Sequence, residues 1–124
     1  MDNRESAEMY LESIYVLSQK NDVVRKIDIS RHMGFAKPSV TRGISLLEKS
    51  GLVGIDGLGN VLLTEKGRKE AEKIYERHTV LTTMFMRLGV DEKTAAGDAC
   101  RVEHFISDKT FEAIKKHLKT YENY

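Results

Sequence analysis

The sequence predicts a mainly α protein with a winged helix-turn-helix in its N-terminal half and further helices after it. Three observations carry this reading. Apolar residues recur at helical spacing through most of the 124 residues, and a single proline interrupts them. Two short amphipathic stretches are separated by Gly34 and Pro38. Two short apolar runs, Gly51-Leu-Val-Gly-Ile and Val61-Leu-Leu, then flank the glycine-rich Asp56-Gly-Leu-Gly-Asn, the pattern of a β-hairpin.

In chain order, Ser6 is the expected N-cap of a first helix reaching about Gln19, with Glu8 in its first turn. Ala7, Tyr10, Leu11, Ile14 and Leu17 form its apolar stripe, and Met9, Glu12 and Val16 lie on the other side. Asn21-Asp22 breaks it. A short helix from about Asp28 to Met33 stops at Gly34. Pro38 opens the next helix, where its fixed φ and missing N–H are tolerated, and that helix reaches about Ser50. Val40, Ile44 and Leu47 face inward there, and Ser39, Arg42 and Lys49 outward. A helix pair with a tight turn, hydroxyls and an arginine near the start of the second helix, and then a hairpin, is the order of a winged helix. Thr64 caps a long helix to about Leu88, with Ile74, His78, Leu81, Phe85 and Leu88 inward. Gly89 ends it, Asp91 caps the next helix, and Ser107 caps a last one carrying Phe111, Ile114 and Leu118. Two lobes are expected, 1–73 and 74–124.

Hydrophobic residues at 40% and charged residues at 31% fit a foldable, soluble chain. No run approaches the ~18 apolar residues of a membrane helix. The start, Met-Asp-Asn-Arg-Glu-Ser, is too polar for a secretory signal. One cysteine excludes an internal disulfide. The expected compartment is the cytoplasm, with no membrane partner. Net charge is only +1, yet residues 20–50 carry seven basic residues against Asp22, Asp28 and Glu48. A basic segment on a near-neutral chain suits a local nucleic-acid contact, or is a solvated surface.

The stretch Asp98-Ala-Cys-Arg-Val-Glu-His holds the only cysteine. On a continuous helix Cys100, Glu103 and His104 stand at i, i+3 and i+4, on one face. Thiolate, carboxylate and imidazole are metal donors. Ala95, Ala99, Val102, Phe105 and Ile106 would form the core stripe roughly opposite. The alternative is a buried, inert Cys100 with Glu103 and His104 in solvent. Met9 and Glu12, away from the first helix's core stripe, offer a soft and a hard donor to a metal held by another helix. His78 sits on the packed side of its helix, where hydrogen bonding within the core is the simpler reading.

Four stretches resemble a known family: Glu8-Met-Tyr-Leu-Glu-Ser-Ile-Tyr, Pro38-Ser-Val-Thr, Leu63-Thr-Glu-Lys-Gly, and Asp98 to Asp108. Through them the whole chain is similar to the metal-activated bacterial repressors of the diphtheria toxin repressor and manganese transport regulator family. The resemblance implies a helical metal-binding and dimerisation domain behind the winged helix. It implies an iron-type activating site at Met9, Cys100, Glu103 and His104. The manganese-responsive branch has Asp in place of Met9 and Glu in place of Cys100. Glu12 resembles that branch, and His78 is a ligand position in both. The iron branch's ancillary site departs at Thr82 and Ala96, where its pattern has a carboxylate and a histidine. Its C-terminal SH3-like domain has no counterpart within this sequence.

The expected function is a metal-activated transcriptional repressor that controls metal-uptake genes as a homodimer on a palindromic double-stranded operator. Fe²⁺ is the expected ion and Mn²⁺ the runner-up, because sulfur donors suit Fe²⁺ better. Arg42 is the expected base contact; Lys37, Ser39 and Thr41 are expected at the backbone phosphates, and Pro38 stands with them at the helix start as a DNA-binding position. A metal-independent winged-helix regulator is one alternative. An enzyme is not expected, since no spare general base accompanies the Cys/Glu/His group in a recognisable motif.

Overall fold

The computed structural model describes residues 3–122. Six helices and one hairpin are present among them: α1 (Asn3–Lys20), α2 (Lys26–Met33), α3 (Lys37–Lys49), β1 (Val53–Ile55), β2 (Val61–Leu63), α4 (Glu65–Arg87), α5 (Glu92–Val102) and α6 (Asp108–Glu122). The mainly α winged-helix architecture is the expected one. The chain divides into two compact units, one ending at Lys73 and the other starting at Ile74, a boundary that falls within α4.

In the first unit α1, α2 and α3 pack on one another, β1 lies against α3 and β2 against α1. Helical spacing dictates which faces meet: Tyr10, Leu11 and Ile14 of α1 and Val40, Ile44 and Leu47 of α3 are buried. Ser6 lies inside α1, which begins three residues before it at Asn3. The turn between α2 and α3 uses Gly34 in the left-handed region, φ 73°, and its N–H donates to the Ser30 carbonyl. Pro38 sits in the first turn of α3, and Ala36 is the N-cap.

The wing is a two-stranded antiparallel hairpin with Val53 opposite Leu63 and Ile55 opposite Val61. Asp56 organises its turn by accepting from the N–H groups of Leu58 and Asn60, both at 2.9 Å, and from the Asn60 side chain at 3.0 Å. The Val61 N–H also donates to the Val24 carbonyl at 2.7 Å, which ties the wing to the segment before α2. Thr64 caps α4 by accepting from the Gly67 N–H at 3.0 Å. A side chain at Gly67 would overlap the Leu52 carbonyl, so only glycine allows this approach.

The second unit consists of the rest of α4, then α5 and α6. The buried stripe of α4 is Ile74, Arg77 and Leu81, with His78 partly covered beside it. Leu88, expected on this stripe, lies beyond the helix and is exposed, because the chain turns at Leu88-Gly89 with φ 102° at the glycine. Asp91 caps α5 by accepting from the Thr94 N–H at 3.0 Å, and Ser107 caps α6 by accepting from the Thr110 N–H at 3.2 Å.

The Asp91 carboxyl is held below its ordinary value of 3.8, first by the Thr94 backbone hydrogen bond. A depressed folded-state value stabilises the fold above the unfolded value and loses that stabilisation as pH falls through the folded one. Asp91→Ala should therefore lower Tm by a few degrees at pH 7. The difference from the native protein should close in melts run below pH 3.8.

Candidate metal centre and nucleic-acid interface

Helix α5 does not continue through the Cys100–His104 stretch. It ends at Val102; Glu103 is its C-cap, and Glu103 to Ile106 form a turn. Glu103 still has helical dihedrals, φ −57° and ψ −27°, and its N–H donates to the Ala99 carbonyl at 2.9 Å. Cys100 is exposed, whereas Glu103 and His104 are buried. Val102 and Phe105, expected in the core, are exposed instead, Phe105 at 64%. Ala95 and Ala99 are buried as expected, and Glu103, one turn after Ala99, continues that buried face.

Arg77 explains the end of the helix. Its side chain is almost wholly buried, and its Nη1 donates to the carbonyls of Glu103 at 3.2 Å and Ile106 at 2.7 Å. Its Nη2 pairs with Asp108, and its guanidinium stands 5.3 Å from the centre of the Phe111 ring. Carbonyls at a helix end have no partner within the helix and need one from elsewhere. A guanidinium with fixed, forked donors supplies several at once. Residues 103–108 are thus shaped from α4, by a residue next to His78. Sequence reading missed Arg77; a lone basic residue in phase with Ile74 and Leu81 was the available signal.

The turn presents donors to a buried point. His78 Nδ1 lies 3.0 Å from Glu103 Oε1, and the Glu103 side chain has no exposed surface. Its second oxygen, Oε2, is buried and has no hydrogen-bond partner among the described residues. A ligand atom of Glu103 and one of His104 lie within 4.8 Å. His78 and His104 each offer an imidazole nitrogen, a metal donor when neutral. A buried polar atom without a partner costs about 1–3 kcal/mol, and more when charged. A divalent cation would remove that cost. One carboxylate and two imidazoles suit a first-row transition metal, so these residues fit the group that the resemblance implies.

The other residues singled out from sequence fall elsewhere. Met9 and Glu12 are half-buried, one turn apart on α1. Met9 lines a cleft of about 570 Å³ in the first unit, shared with Phe35, Ser39 and Arg42. Lys37, Pro38, Ser39, Thr41 and Arg42 are all exposed on the first two turns of α3. No side chain caps that helix start. Base-reading helices of this motif present such N-terminal turns to the major groove.

Arg77→Met keeps the bulk of the side chain and removes its donors. It should destabilise the protein by about 1.5–3 kcal/mol, the range for hydrogen bonds to charged groups. The midpoint of urea unfolding should fall with the slope unchanged.

Residues 3–58 match the N-terminal DNA binding domain of iron dependent repressors, and residues 64–123 match the metal binding and dimerisation domain of the same proteins. An uncharacterised HTH-type transcriptional regulator of Methanocaldococcus jannaschii is 31% identical over 121 residues, 96% of this chain and 97% of that protein. The transcriptional regulator MntR of Escherichia coli is 30% identical over 112 residues, 90% of this chain and 72% of that one. Among solved structures, the manganese regulator SloR superposes with a TM-score of 0.82 at 29% identity, over 91% of this chain and 53% of that one. A manganese-dependent transcriptional repressor in complex with manganese gives 0.83 at 27%, over 91% and 52%. The chain spans about half the length of these two solved structures.

Proposed function

Because this chain belongs to the iron-dependent repressor family, we propose that it is a metal-activated transcriptional repressor that binds a palindromic operator as a homodimer. The observation that carries the metal half of this reading is the buried Glu103 carboxylate, held by His78 on one oxygen and without a hydrogen bond on the other. The DNA half rests on the exposed first turns of α3, with Arg42 as the base contact, Lys37, Ser39 and Thr41 against the phosphates, and Pro38 beside them at the DNA-facing helix start. Regulation, not catalysis, is the role of the family. No helix among the described residues is long and apolar enough to cross a membrane. Action on DNA assigns the protein to the cytoplasm.

His78, Glu103 and His104 are the proposed core of the ligand set. Met9, Glu12 and Cys100 are the proposed additions. When bound, the metal supplies a positive charge to the buried carboxylate and fixes the turn after α5. The chain's own part is to hold that turn in place through Arg77 and to present α3. Metal and DNA then favour each other's binding with a reciprocal coupling of about 1–3 kcal/mol.

The activating ion is Fe²⁺ or Mn²⁺. Nitrogen and oxygen donors serve both, and sulfur from Met9 or Cys100 favours Fe²⁺. The name of the family speaks for iron, and the names of MntR and SloR for manganese. Exposure of Cys100 leaves the sulfur contribution to Met9 unless Cys100 changes rotamer or partner on loading.

An operator selected anaerobically from random DNA, followed by titration with Fe²⁺, Mn²⁺ or chelator at fixed salt, tests this reading. Chelator should weaken operator binding about 5- to 150-fold, the range of such couplings. His104→Ala should remove the metal response. Met9→Asp should move the preference toward Mn²⁺. Operator affinity that ignores chelator would leave a winged-helix DNA binder with no metal switch.

A further inference from the structure

Tyr10 lies in α1 between Met9 and Glu12, yet its side chain belongs to the helix-turn-helix. It is 4% exposed. Its hydroxyl donates to the Ser39 carbonyl in the first turn of α3, at 3.1 Å. Its ring meets Phe35, in the turn between α2 and α3, edge to face with centres 6.1 Å apart. The same ring lies over Gly43. A Cβ at that position would fall on the Tyr10 ring, closer than van der Waals contact permits. The middle of a helix is an unfavourable place for glycine, so Gly43 needs a reason, and the tyrosine ring is one. Ser39, Arg42 and Gly43 also line the cleft that Met9 enters. One side chain therefore contacts the turn, the first turn and the second turn of the helix proposed to read DNA.

We infer that Tyr10 is the positioning residue of the recognition helix: its hydroxyl on Ser39 and its ring on Gly43 set the turns that carry Ser39 and Arg42, and link them to the segment of α1 that carries Met9 and Glu12. The link to metal rests on the proposed function above; the positioning of α3 does not. Burial raises the Tyr10 phenol above its ordinary value of 10.0, with the Arg42 charge pulling the other way, so the hydroxyl keeps its proton across the physiological range. Tyr10 touches no DNA in this scheme. Its effect is confined to binding that depends on where α3 sits, whereas binding to random DNA rests on charge.

The test compares Tyr10→Phe with the native full chain on the selected operator and on random DNA of equal length, with Mn²⁺, with Fe²⁺ and with chelator. Metal affinity without DNA and Tm are measured alongside. Loss of one neutral hydrogen bond corresponds to a factor of about five. Tyr10→Phe should lose about fivefold on the operator when metal is present, stay within twofold on random DNA, and bind metal as the native protein does. Gly43→Ala, which displaces the ring by another route, should lower the operator-to-random ratio in the same direction. Adding Gly43→Ala to Tyr10→Phe should cost less than the two separate losses combined, because both act on one contact. An unchanged operator-to-random ratio in both variants would overturn the inference. So would equal losses on both DNAs, which mark a general loss of structure. If the native protein ignores metal, the proposed function fails, and the ratio alone still decides the role of Tyr10.

Discussion

A carboxylate with no exposed surface is the constraint on which the second unit depends. Glu103 brings a carboxyl group into a place where water cannot reach it, and His78 lies against one oxygen only. Buried charges are tolerated when paired and fully hydrogen-bonded, and strongly destabilising when not. The remaining oxygen, beside the buried ring of His104, is the observation on which the proposed metal centre rests.

The Glu103 side chain is buried in helical phase with Ala95 and Ala99, and the chain turns away directly after it. Arg77 takes up two main-chain carbonyls of the turn and pairs with Asp108, so the backbone is satisfied without a further helical turn. An almost wholly buried arginine next to His78 thereby places the residues after it. The exposed side of the same region, Val102 and Phe105, is the apolar surface that remains when Glu103 and His104 turn inward. In the first unit Tyr10 has a comparable part, as a polar-tipped aromatic that holds α3 by a main-chain carbonyl and a glycine.

These features divide what the sequence reveals from what it hides. Helical spacing identified Val40, Ile44 and Leu47 as the core face of α3, because that helix is short, its start is marked by Gly34 and Pro38, and its opposite face is exposed. The hairpin was legible from its glycine-rich turn, and the starts of α4, α5 and α6 from Thr64, Asp91 and Ser107. The Cys100–His104 stretch drew attention for its residue types, but its geometry was not legible. No local stop signal follows Val102, so spacing was extended past the point where a side chain from α4, far away in sequence, ends the helix. A long-range hydrogen bond to a backbone carbonyl leaves no periodic trace. For the same reason nothing in the sequence singled out Arg77, and Gly43 gave no sign that a ring would lie across it.

The most direct measurement is X-ray absorption at the metal edge on protein loaded anaerobically with Mn²⁺ or Fe²⁺, native and Glu103→Gln. The expected spectrum has a first shell of oxygen and nitrogen donors with the multiple-scattering pattern of imidazole, and Glu103→Gln weakens loading or changes that shell. A shell of water oxygens without imidazole, identical in both proteins, would contradict the assignment of His78, Glu103 and His104 as the metal centre.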